Sequence, residues 1–249
     1  MLTPATDDPP GAADKAGGMS TAVIEAHGLI KSFGSTHALA GVDLGIASGE
    51  SVAIMGASGS GKTTLLHVLA GITRPDGGRV LFTPPVGAPV EVSALGESAR
   101  SRLRRESFGF VFQQGLLMPE LTAVENVALA AMITGIPRAE ATQRAAGWLG
   151  ALGLQGMEDR RIGELSGGQA QRVAIARAQV TGASIVFADE PTGALDSATS
   201  SEVMDALLWS TTGQGRTLVV VTHDPQVAAR CSRTIAVRDG RVLGSAVAA

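Results

Sequence analysis

The sequence has no tyrosine, one cysteine (Cys231), and only three lysines (Lys15, Lys31 and Lys62) among its 20 basic residues. A lone cysteine cannot close an internal disulfide, and a reducing compartment fits that usage. Excess positive charge is lacking too. The net charge is −3 and the pI about 5.8, whereas a domain that grips nucleic acid usually has a pI above about 9. Nucleic acid is therefore not an expected partner. Long apolar runs are missing. The longest stretch free of charged, amide and hydroxyl side chains is Ala145–Leu154, which includes three glycines; a membrane-spanning helix needs about 20 apolar residues. No basic-then-apolar leader opens the chain. What is present, 45% hydrophobic and 17% charged residues over 249 positions, can bury one large core and excludes global disorder.

Residues 1–20 are Pro, Gly, Ala and Asp with almost no large apolar group. They are expected to form a disordered tail, followed by a single domain over 21–249. From Val23 the segments VIEAHGLIK and VDLGIA alternate as half-buried strands do. SVAIM (51–55), SIVFA (184–188) and TLVVVT (217–222) are short apolar runs, the pattern of strands covered on both faces. Helices are expected near Lys62–Ala70, Ala170–Val180 and Ala198–Trp209, with a mainly helical insertion at about 116–165. Hairpins are expected at 79–92 and at 235–244, the latter turning at Asp239-Gly240. The outline is an α/β fold: a mainly parallel sheet, an antiparallel β part and an inserted helical subdomain.

Gly56-Ala57-Ser58-Gly59-Ser60-Gly61-Lys62-Thr63 fits the phosphate-loop pattern G-x-x-x-x-G-K-[ST], and it stands between a buried strand and a helix. Glycines let backbone amides close round a phosphate, and the helix start adds positive potential. Lys62 would reach the β- and γ-phosphates of ATP and the Thr63 hydroxyl would ligate Mg²⁺. Thr64, next along the helix, belongs to the same expected ATP-binding set. Far downstream, Asp189 and Glu190 end a buried strand, where open α/β sheets bind ligands. Adjacent strand residues face opposite ways. Asp189 is therefore expected towards Mg²⁺, through water, and Glu190 towards a hydrolytic water.

Between these centres lies Leu165-Ser166-Gly167-Gly168-Gln169, followed by AQRVAIARA. With it the chain resembles the ABC-type ATPases, the nucleotide-binding subunits of ATP-binding-cassette transporters, whose signature motif is LSGGQ. The resemblance runs over about 23–243. In PELTAVENVALA, ADEPTGALDS and VTHDPQVA it is similar to the subfamily of macrolide-export, lipoprotein-releasing, cell-division and antimicrobial-peptide-resistance ATPases. It implies roles for further residues. Gln113 matches the glutamine that senses Mg²⁺ and the γ-phosphate and faces the membrane partner. Asp196 matches an aspartate that crosses the dimer interface, and His223 a histidine near the γ-phosphate. Phe33 stands where the family usually has a tyrosine stacked on adenine. Gln114-Gly115, Ala194 and the proline-rich 83–92 hairpin depart from the usual pattern.

The family's mechanism implies a head-to-tail dimer, with a second copy or a paralogous ATPase, in which Leu165–Gln169 of one chain closes on the ATP held by the other. Glu190, His223, Lys62 and Gln113 are the expected catalytic set. The motor would push a separate polytopic permease at the cytoplasmic face of the cell membrane, for export or mechanotransmission, its cytosolic helix docking near Gln113–Glu125. Two other classes fit less well. ABC-type ATPases of DNA repair or chromosome organisation carry coiled coils or zinc clusters, and translation-factor types carry two cassettes. The basic run Arg100, Arg102, Arg104, Arg105 is flanked by Glu97 and Glu106 and reads as a solvated helix face.

Overall fold

The computed structural model describes residues 22–247; the expected tail at 1–20 lies outside the described residues. Ten strands and seven α-helices follow in the order β1 (Ala22–Phe33), β2 (Thr36–Ala47), β3 (Ser51–Met55), α1 (Lys62–Leu69), β4 (Gly77–Phe82), β5 (Val90–Glu91), α2 (Glu97–Ser107), β6 (Phe108–Phe112), α3 (Ala123–Ile133), α4 (Arg138–Ala151), α5 (Gly167–Gln179), β7 (Ile185–Asp189), α6 (Ser197–Ser210), β8 (Thr217–Thr222), α7 (Pro225–Ala228), β9 (Arg233–Arg238) and β10 (Arg241–Val247). Among them no helix is long and apolar enough to cross a membrane.

Two sheets form. One is antiparallel, in the order β2-β1-β4-β5. The other is six-stranded, in the order β10-β9-β3-β8-β7-β6, parallel except for the closing β9–β10 hairpin. The period-2 alternation of side chains sorts the central strands onto two faces. Val52, Ile54, Ile185, Phe187, Val219 and Val221 pack with α1 and the antiparallel sheet. Ala53, Val186, Ala188, Leu218 and Val220 pack under the helices α3 to α6. Both faces are covered, so the central strands are continuous apolar runs. Phe108 joins the sheets, its ring edge-on to Phe82 at 4.9 Å and to Phe187 at 5.3 Å.

The helical insertion is α3 and α4, both within 116–165, laid against α5. A capping box starts α3: Glu125 N–H donates to Thr122 Oγ1 at 3.3 Å, and Thr122 N–H donates to Glu125 Oε2 at 3.0 Å. The basic run lies on α2, which buries no residue, and Glu97 and Glu106 pair with Arg100, Arg104 and Arg102. The face is solvated only in part: Arg102 and Arg105 are exposed, whereas Arg100 and Arg104 are half-buried, and Arg104 donates to the Gly71 carbonyl at 2.6 Å. At the final hairpin Asp239 and Gly240 both take positive φ, 50° and 70°, as a two-residue turn of matching twist requires.

Candidate active site

The phosphate loop joins the end of β3, at the middle of the parallel sheet, to α1. Gly61 caps α1 at φ 102°, a conformation closed to most side chains, and a Cβ there would also strike the Ala38 carbonyl of β2. Glycine is required twice over at this position. Lys62 is nearly buried, and its ammonium donates to the Gly56 carbonyl at 2.9 Å and the Ala57 carbonyl at 2.8 Å. A cleft of about 640 Å³ opens here. It is lined by Ala57, Ser58, Gly59, Gly61, Lys62, Thr63 and Thr64 from the loop and α1, by Glu190 and His223, and by Thr36 and Ala38 of β2. Sequence reasoning missed the last two. Their signal is only a register: β2 begins at Thr36, and nothing in the local sequence says which loop it will face.

Parallel pairing of β3 with β8 and of β8 with β7 brings the acidic centre beside the loop. Thr63 Oγ1 donates to Asp189 Oδ1 at 3.2 Å, across 126 residues of chain. These two oxygens, one hydroxyl and one carboxylate, are the donor types Mg²⁺ takes from proteins, usually one or two with water completing its octahedron. Burial pushes the Asp189 carboxyl above the ordinary carboxylate range, and the Thr63 hydrogen bond acts the other way.

Glu190 behaves differently from expectation. It is not a strand residue facing opposite to Asp189, because β7 ends at Asp189 and Glu190 takes φ 46°. Strain of about 1–3 kcal/mol attends a left-handed non-glycine residue. Glu190 N–H donates to the Val221 carbonyl at 2.9 Å, which anchors the turn. The turn aims the carboxylate at His223, with 2.9 Å between Glu190 Oε1 and His223 Nδ1. The two acids are separated by a backbone reversal rather than by pleating.

Gln113 follows β6 and lies beside the loop after β7: a Cβ on Gly193 would be 3.0 Å from Gln113 Nε2. Phe33 ends β1, about half exposed, with the Lys31 ammonium 5.5 Å from its ring centre; it does not line the cleft but pairs across the turn with Thr36, which does. Leu165–Gln169 lies elsewhere, at the start of α5. Ser166 Oγ accepts from Gln169 N–H at 3.3 Å and Gln169 Oε1 accepts from Ser166 N–H at 2.9 Å. This cap starts α5 at Gly167, three residues before the expected boundary. Gly168 has a packing reason as well, since a Cβ there would run into the Thr199 methyl of α6. Ser166 and Gly167 face solvent. Asp196 caps α6, accepting from Ala198 N–H and Thr199 N–H at 3.0 Å each and from Thr199 Oγ1 at 2.7 Å. The Thr199 amide and hydroxyl hold its carboxyl below the ordinary range.

The ABC transporter family profile matches residues 39–193, more than half of the chain. The chain belongs to the ABC transporter family of ATPases. Among curated relatives, this ABC ATPase domain is 46% identical over 230 residues to a macrolide export ATP-binding/permease protein of Nitrosomonas europaea, covering 90% of this chain and 34% of that protein. It is 47% identical, with the same coverage, to a pyoverdine export ATP-binding/permease protein of Pseudomonas syringae pv. syringae. The chain thus spans about a third of the length of these relatives. Among solved structures it is 36% identical to the dimeric ATP-binding cassette MJ0796 in a post-hydrolysis state bound to ADP and Pi, with a TM-score of 0.80, covering 91% of this chain and 99% of that one. A second dimeric structure of that cassette gives 37% and 0.81 over the same shares.

The raised Asp189 pKa has a stability consequence. The folded form holds this proton more tightly than the unfolded chain does. The resulting stabilisation is therefore full below the unfolded value, about 3.9, and is lost as pH rises through the folded one. At neutral pH without metal, ionised Asp189 destabilises the fold. Asp189→Asn is expected to melt above the native chain at pH 7 in chelator, with the gap closing towards pH 4. Thermal unfolding across that range checks it; an Asn variant that melts lower at pH 7 would contradict it.

Proposed function

We propose that this chain is the ATP-hydrolysing motor of a membrane export or mechanotransmission complex, working as a head-to-tail dimer with a second copy or a paralogous ATPase. The observation that carries the reading is the meeting of Thr63 with Asp189, and of Glu190 with His223, at one phosphate-loop cleft. Amides of Gly56–Gly61, Lys62 and Thr64 would hold the phosphates, and Phe33 would stack on the base. Thr63, Asp189 through water, and Gln113 would hold Mg²⁺, which when bound neutralises charge on the β- and γ-oxygens. Glu190 accepts a proton from, or orients, the attacking water, and His223 steadies the Glu190 carboxylate and the γ-phosphate oxygens. The exposed, capped start of α5 offers Ser166 and glycine amides to the nucleotide of the opposite chain. Two dimeric structures of a cassette 36–37% identical support this arrangement, with Asp196 ordering the loop that would lie at the interface.

Export follows from the names of the relatives, whose proteins combine ATP-binding with permease. The partner proposed here is a polytopic permease at the cytoplasmic face of the membrane. Its cytosolic helix would dock in a groove of about 520 Å³ beside the Gln113 loop, where apolar Phe112, Leu116 and Ile133 sit with Arg104, Arg105 and Arg177. That lining fits a short helix with an apolar face and an acidic edge.

Complementation tests the shared site. A Lys62→Ala chain and a Ser166→Arg chain should each be nearly inactive. Mixed, one of the two sites pairs an intact Lys62 with an intact Ser166. ATPase activity above the sum of the separate chains is expected, or ATP-driven dimerisation of the mixture where both sites must fire together. A mixture showing neither would place Ser166 within its own chain's site and remove the trans arrangement.

A further inference from the structure

Helix α5 does more than present the signature motif at its first turn. Gln171, Ala174 and Arg177 recur at i, i+3 and i+6 and form one stripe of the helix. That stripe lies against the segment running from the end of β6 past Gln113. Gln171 is buried, and its Nε2 donates to the Phe112 carbonyl at 3.0 Å. Arg177 donates from its two terminal nitrogens to the Leu116 and Gly115 carbonyls, at 2.6 Å each. Between them the loop is in direct contact with the helix: a Cβ on Gly115 would lie 3.6 Å from the Ala174 methyl and from Gln171 Oε1.

The conformation held in this way is not one the loop favours alone. Gly115 and Leu116 are consecutive left-handed residues, at φ 67° and 48°, and Leu116 carries a Cβ. Among the described residues Arg177 has no carboxylate within ion-pair distance. Its charge is spent on two backbone carbonyls, a strong and directional use of a guanidinium. Gln113 is thus flanked by a clamp, Gln171 before it and Arg177 after it. Both clamp residues belong to the helix that begins at Gly167. Leu116 and Arg177 also line the apolar groove, so one side chain touches groove, loop and helix.

We propose that Gln171 and Arg177 are positioning residues that lock the 113–116 loop to the signature helix, so that the placement of Gln113 at one nucleotide and of Ser166–Gln169 at the other change together. This rests on the reading of Gln113 as a residue of the ATP site. Leu116 and Arg177 line the groove, so a partner helix seated there would touch the clamp, which would pass a displacement to both motifs.

Steady-state ATPase of Arg177→Met, Arg177→Lys, Gln171→Leu and Gln113→Ala, with thermal melts, tests the proposal. Arg177→Met is expected to lower kcat about tenfold or more while KM for ATP stays within about threefold. Arg177→Lys should recover part of the loss, since an ammonium can still serve one carbonyl. The Arg177→Met/Gln113→Ala double variant should be no slower than the slower single, because both act through one group. Gln171→Leu, which removes only one bond, serves in the same way where Arg177→Met folds poorly. Slow Gln113→Ala with normal Arg177→Met and Gln171→Leu would overturn the clamp alone, as would additive losses or losses that merely follow the unfolded fraction. Normal turnover by Gln113→Ala would overturn the reading of Gln113, and the clamp with it.

Discussion

Replacing Glu190 by Gln is expected to slow ATP turnover by about 10²–10⁴-fold while leaving ATP binding intact, and to accumulate an ATP-bound dimer. The amide keeps the size and shape of the carboxylate but cannot take a proton. The backbone reversal at Glu190, φ 46° with its N–H on the Val221 carbonyl, depends on the main chain and is unaffected by the change. A hydrogen bond to His223 can persist in the variant, because the amide oxygen still accepts at the same 2.9 Å geometry. The loss should therefore fall on chemistry rather than on assembly. Light scattering with Mg-ATP measures the dimer and phosphate release measures the rate. Normal turnover by this variant would take Glu190 out of the reaction.

Lys62→Ala should weaken ATP binding by at least about a hundredfold, the worth of two charge-assisted hydrogen bonds to phosphate oxygens. Among the described residues no other lysine lines the cleft. The ammonium is already inside the loop on the Gly56 and Ala57 carbonyls. Binding phosphate is thus an exchange of acceptors, with little cost in ordering a long side chain. Truncation also removes the ammonium from both carbonyls, of which Ala57 keeps the Ser60 N–H at 3.2 Å, so some thermal stability should be lost as well. Calorimetric titration with nucleotide, beside a melt of the same sample, separates the two effects. Wild-type affinity in a folded variant would contradict the assignment.

Much of this protein can be read from short stretches of sequence, because the physics there is local. A phosphate loop needs a strand, glycines and a helix start within a dozen residues, and all of these are contiguous from Ser51 to Leu69. Buried parallel strands read as unbroken apolar runs, so SVAIM and TLVVVT name their own burial. Ser166 and Gln169 close a capping box over three residues. The family motifs add order and spacing, and with them a candidate ATP site, the signature stretch and a helical segment can be located in the sequence alone. What the tertiary structure decided is non-local or depends on backbone reversal. Strand order in the parallel sheet brings Thr63 to Asp189 across 126 residues, and no periodicity encodes which strands will be neighbours. The pleat argument for dividing Asp189 from Glu190 failed because the strand stops one residue earlier, and a positive φ set by the Val221 contact does the aiming. Thr36 and Ala38 reach the cleft only because β2 lies across the loop, with Ala38 against Gly61. Gln171 and Arg177 look in sequence like the polar positions of an amphipathic helix. Only the packing of α5 on the Gln113 loop turns their donors onto three backbone carbonyls, those of Phe112, Gly115 and Leu116.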